Sequence, residues 1–183
     1  MSAQLRTTSA TPAAELRAIV AIAARTTVIS GVIGAIGLVF LVGMFTAFAV
    51  GATAPAQALG WINDVCVLGS YLLCAPSVIA LWVLLRPSAP TVSSLAALLG
   101  LGSIAAIVVL QALLVAGVMT FEDQVGLVSI GLLGLGVWFV LTGYLGSRTG
   151  LLPRGVAMGL LAAIYVGYPI WAIWLGRRLG PSD

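Results

Sequence analysis

The chain has 183 residues, of which 61% are apolar and 7% charged, with a formal net charge of +3 and a mean hydropathy of +1.19. A soluble domain carries roughly a quarter charged residues, so this composition is that of an integral membrane protein. Every basic residue is arginine and histidine is absent, which removes lysine Schiff-base chemistry, histidine-assisted nucleophiles, histidine-ligated zinc and bis-histidine haem together.

Residues 1–12 are small, polar and proline-containing, a composition that predicts disorder. Thr11-Pro12 followed by Glu15 reads as a helix start, with a cap, a proline at the first position and an acid in the first turn. Leu16, Ile19, Val20 and Ala23 then share one face. This stretch is either a short helix on the inner membrane surface or a cytoplasmic extension of the first span. Span one covers residues 28–50 and is kept slim by Gly31, Gly34, Gly37, Gly43, Ala47 and Gly51. Ala52-Thr53-Ala54-Pro55-Ala56 resembles a signal-peptidase site, but the apolar run before it is long and starts late, which favours a retained span. Span two covers 64–85, bracketed by Trp61 and Trp82 and stopped by Arg86-Pro87. Span three covers 92–118 and carries one strongly polar interior residue, Gln111, expected to hydrogen-bond a neighbouring helix. Glu122-Asp123 marks the loop before span four, residues 124–145, which carries Trp138 and Thr142.

Arg148 and Gly150 then suit a helix C-terminus, the cation against the dipole and the glycine for a left-handed cap. Pro153 opens span five, residues 153–175, where its missing N–H costs nothing. Gly155, Gly159, Ala163 and Gly167 recur at every fourth position of that span, a helix-packing strip that lets a neighbouring backbone come close. The predicted fold is all-α, a polytopic bundle of about five transmembrane helices. Residues 1–27 form a cytoplasmic N-terminal segment with a short helix, 28–176 a single transmembrane bundle and 177–183 a short tail. With the N-terminus inside, Arg6, Arg17, Arg25, Arg86, Arg148 and Arg154 are cytoplasmic and only Arg177 and Arg178 lie outside, so N-in is the predicted orientation. The outer pair is expected to meet Asp64, Glu122 and Asp123 at the same depth.

Span two holds the candidate site. Asn63, Cys66, Ser70, Cys74 and Ser77 are spaced three, four, four and three, which puts them on one helical stripe. Asp64 and Tyr71 lie beside it, and Pro76 removes a backbone hydrogen bond and can bend the helix. Such a stripe either lines a cavity for a small ligand, with Asp64, Cys66, Ser70, Tyr71, Cys74 and Ser77 as the candidate residues, or packs against another helix. Cys66 and Cys74 lie eight residues apart, about 12 Å of helical rise, too far for a disulfide within the chain. No metal cluster, phosphate-cradling loop or nucleophile–base pair stands out.

The stretch Gly143-Tyr144, Ser147-Arg148-Thr149-Gly150-Leu151-Leu152-Pro153-Arg154 resembles the Tyr-x-x-Arg-Ser-Gly-x-Leu-Pro-Arg turn of DUF4386, a bacterial integral membrane family. A second likeness is Asn63-Asp64 opening a span that ends in Ala80-Leu81-Trp82-Val83-Leu84-Leu85-Arg86-Pro87. The resemblance implies a helical membrane protein and carries over no catalytic residue. The expected role is a non-enzymatic structural or accessory component of the cell membrane. It would need no cofactor or metal and no nucleic acid. Its partners are the lipid bilayer and another membrane protein or a second copy of itself. The alternative role is small-molecule binding or transport through a cavity beside span two.

Overall fold

The structure is a computed structural model that describes residues 12–150. Span five, its small-residue strip at Gly155, Gly159, Ala163 and Gly167, and the arginine pair Arg177 and Arg178 lie outside the described residues. Those described form four helices: α1 (Pro12–Ala49), α2 (Thr53–Leu85), α3 (Pro90–Val115) and α4 (Phe121–Arg148). All four are long and apolar enough to cross a bilayer. Their exposed faces carry Val39, Val42, Leu98, Ile130 and Leu133, side chains suited to hydrocarbon rather than water. The helices follow one another up and down, α1 packing on α2, α2 on α3 and α3 on α4, while α2 and α4 meet over a short stretch.

α1 begins at Pro12 with Glu15 in its first turn and runs unbroken for 38 residues, about 57 Å, nearly twice the hydrocarbon thickness of a bilayer. The connections at its far end and after α3 are built alike. Ala52 N–H bonds Ala47 O at 2.9 Å and Gly51 N–H bonds Phe48 O at 3.0 Å. After α3, Val118 N–H bonds Leu113 O and Gly117 N–H bonds Leu114 O, each at 2.9 Å. Both are Schellman closures. They need a left-handed residue just past the helix, supplied by Gly51 (φ 76°) and Gly117 (φ 70°). Gly150, also left-handed at φ 77°, follows Arg148 at the end of α4.

Two boundaries differ from the sequence reading. Span two was expected to open at Asp64, but α2 starts at Thr53. Pro55 falls in the first helical turn, where no intrahelical N–H bond is lost, and the alanines around it favour helix. Asn63 and Asp64 are therefore inside the helix and cap nothing. Glu122 and Asp123 likewise belong to the first turn of α4 rather than to a loop. Thr120 caps that helix: its hydroxyl accepts from Asp123 N–H at 3.3 Å and donates to Asp123 Oδ2 at 2.7 Å. The two acids thus meet the positive end of the helix dipole. α2 continues through Pro76.

The hydrophobic core lies between α2, α3 and α4 and includes Val78, Leu81, Ile104, Ile107, Leu135 and Trp138. Close approach makes it possible: a methyl group on Gly100 would stand 2.8 Å from the Trp138 indole, so the ring occupies the space a side chain would take. α1 joins differently, through small residues. Ala23, Ala24, Thr27 and Ser30 are buried, and the Ser30 hydroxyl donates to Ser70 O at 2.6 Å. A methyl group on Gly37 would come within 2.9 Å of Cys66 Cβ. Small faces of this kind let membrane helices gain dispersion energy where no hydrophobic drive exists.

Candidate functional site

At the end of the bundle carrying the α3–α4 connection lies a cleft of about 450 Å³ walled by all four helices, within the range of small-molecule sites. Leu41 and Phe45 of α1 face it on one side, Val128 and Leu132 of α4 on the other. Its polar corner is a chain of side chains. Gln124 Nε2 donates to Gln111 Oε1 at 2.8 Å, Gln111 Nε2 donates to Asp64 Oδ1 at 2.8 Å, and Asn63 Nδ2 makes a longer contact to the same oxygen at 3.4 Å.

The direction of this chain follows from chemistry. An ionised carboxylate only accepts, so Gln111 must turn its NH₂ toward Asp64 and its carbonyl toward Gln124, which must then present its own NH₂. The two glutamines are 4% and 3% exposed, so water cannot replace these bonds and the corner is held rigid. Asp64 itself is partly exposed to the cleft. Its Oδ1 takes the two amides, and among the described residues no side chain donates to Oδ2.

Depth can be measured along the helices. Asp64 is twenty-one residues from Leu85 at the end of α2, and Gln111 is twenty-one residues from Pro90 at the start of α3. Both separations amount to about 31 Å, one hydrocarbon thickness. The opposite end carries Arg86 over the Trp82 ring and Arg148 over the Tyr144 ring, each 5.2 Å from the centroid. Trp82 Nε1 also donates to Ser94 Oγ at 3.1 Å. That end has the aromatic and basic belt of a membrane interface, and the polar corner stands one membrane thickness away from it.

The candidate residues of the second span separate into three groups. Asp64 and Tyr71 line the cleft, together with Asn63. Cys66 and Ser70 face α1, as the Gly37 and Ser30 contacts show. Cys74 and Ser77 are fully buried, with the Ser77 hydroxyl donating to Cys74 O at 2.6 Å. Gln111 does bond across helices, to α2 and α4 at once. Gln124 was not among the sequence candidates. The signal that could have found it is symmetry: Gln111 stands six residues before Gly117 and Gln124 seven after it, so an antiparallel hairpin turning there brings them level.

Among the described residues there is no group of three or more His, Cys, Asp or Glu that could hold a metal ion. What the cleft offers is one carboxylate, fixed amides and apolar walls, a set suited to binding. By contrast, a hollow of about 480 Å³ on the outer side of α3 and α4 is lined by Ala105, Ala106, Val109, Leu110, Leu127 and Ile130 alone, with nothing polar to orient a ligand. No family model matches the chain, and no curated protein or solved structure matches it.

Proposed function

We propose that this chain is a multi-pass membrane protein of about five spans, N-terminus in the cytoplasm, whose outward end binds a small amphipathic molecule in the cleft beside α2. The observation that carries the reading is the Gln124–Gln111–Asp64 chain at the corner of an otherwise apolar cleft. Buried amides spent on fixing a single carboxylate at the mouth of a hollow are a binding arrangement, since packing alone is better served by apolar or small residues. Six of the eight arginines on one side support the orientation. Membership of the DUF4386 family is part of the proposal and rests on the turn motif at residues 144–154. The chain acts as a binder or transporter rather than an enzyme, because a sequence with neither histidine nor lysine has a thin inventory for acid–base work.

The experiment is purification in mild detergent followed by native mass spectrometry. One small molecule per chain should be retained, and should be lost in Val128→Trp, which fills the cleft, but kept in Val137→Trp on an exposed face of α4. Retention of a stoichiometric protein partner with no small molecule would overturn this reading in favour of the accessory one, in which the chain serves another membrane protein or a second copy of itself.

A further inference from the structure

The cleft has a sign as well as a shape, and this inference rests on the binding reading above. Among the described residues its one formal charge is Asp64, and none of the fifteen that line it is basic. The amide chain occupies Oδ1, and among the described residues no side chain donates to the carboxylate's other oxygen, while Asp64 itself lines the hollow. Three aromatic residues, Phe45, Tyr71 and Phe121, border the same space, and aromatic faces attract cations as well as apolar bodies. An anionic ligand would meet a like charge half withdrawn from water. A neutral apolar one would leave the carboxylate stripped of solvent with nothing in return. We infer that the ligand class is a lipophilic organic cation, an ammonium or similarly delocalised cation on an apolar body, its charge against Asp64 and its body between α1 and α4.

The guanidinium groups of Arg177 and Arg178 are the other source of a cation of this kind, and the test separates the two. Tetraphenylphosphonium and tetraphenylborate have the same shape and opposite charge, so their difference, each corrected for partitioning into protein-free nanodiscs, isolates the sign of the site. The purified full chain, reconstituted in nanodiscs of zwitterionic lipid, should bind tetraphenylphosphonium saturably and at least roughly tenfold more tightly than tetraphenylborate, the scale of one well-placed charge contact. Asp64→Asn should abolish that preference while keeping the amide corner hydrogen-bonded. Phe121→Leu, which keeps the apolar volume, should weaken the cation about two- to fivefold, and supplies a second reading should Asp64→Asn fail to fold.

Equal binding of the two ions, or a preference that survives Asp64→Asn, would overturn the inference. So would phosphonium binding seen in Arg177→Gln/Arg178→Gln but not in the natural chain, which would give the site to the chain's own arginines. If native mass spectrometry still retains a neutral or anionic small molecule, the binding reading stands and only the ligand class fails. If nothing is retained and neither ion binds, both fail.

Discussion

Replacing Gln111 with leucine removes the middle of the polar chain and leaves its two ends in unequal positions. Asp64 is partly exposed and recovers water, whereas Gln124, 3% exposed, keeps a buried amide with no acceptor. A buried donor left unpaired costs about 1–3 kcal/mol, while hydrogen bonds between membrane helices average roughly 0.6 kcal/mol because the unfolded chain also finds partners. The charged acceptor raises the value and the re-solvated end lowers it, so about 1–2 kcal/mol is expected for Gln111→Leu and about 1 kcal/mol for Gln124→Leu. The informative quantity is the double variant. Once Gln111 is gone the amide of Gln124 is already orphaned, and removing it too should cost nothing further or restore stability. The two losses should therefore fall short of additivity by about 1 kcal/mol. Reversible unfolding in mixed micelles with rising SDS, followed by tryptophan fluorescence, measures all four corners of the cycle. Losses that add to within about 0.3–0.5 kcal/mol would show that the glutamines do not share a bond, and the rigid corner would be refuted.

Other perturbations test the scaffold. Gly100→Ala should destabilise by about 1–3 kcal/mol, because its new methyl group meets the Trp138 ring. Gly102→Ala, with open space around it, should be neutral or slightly stabilising in the same melting assay. Thr120→Ala should cost about 1 kcal/mol through loss of the α4 cap, with Thr120→Ser close to the natural chain. Reporter fusions after Gly51, Ser88, Gly117 and Gly150 should read out, in, out, in, and a cytoplasmic reading at Gly117 would reverse the proposed orientation.

Much of the helical plan is legible in the sequence, and the failures have physical causes. Apolar runs, Arg86-Pro87 and Gly150 mark helix ends because few residues can occupy those conformations, whereas the left-handed Gly117 closes α3 at Val115, short of the expected end at 118. The start of α2 was hidden because Pro55 and Asn63-Asp64 both look like boundaries. A proline in a first turn reads the same as a proline that stops a helix, and only the course of the chain tells them apart. The site was half legible. The stripe on α2 has Asp64 and Tyr71 beside it, but a helix face that packs small residues on α1 has the same spacing as one that lines a cleft. Cys66 and Ser70 fall to the first and Asp64 and Tyr71 to the second, a division set by where α1 leans. Gln124 escaped notice because its importance comes from Gln111 across the hairpin, a tertiary relation that periodicity within one helix does not contain.

The central proposal is that the cleft is a hollow open to the outside, and one accessibility measurement addresses it. Ser129 lines the cleft and is exposed, whereas Ser103 is 7% exposed and packs beside Gly134 in the α3–α4 seam. In a background of Cys66→Ser and Cys74→Ala, single cysteines are introduced as Ser129→Cys or Ser103→Cys and treated with a membrane-impermeant maleimide in intact cells. Labelling of the Ser129→Cys chain from outside, with Ser103→Cys protected, is the expected result. Labelling of Ser129→Cys only from the cytoplasmic side, or only after denaturation, would contradict it.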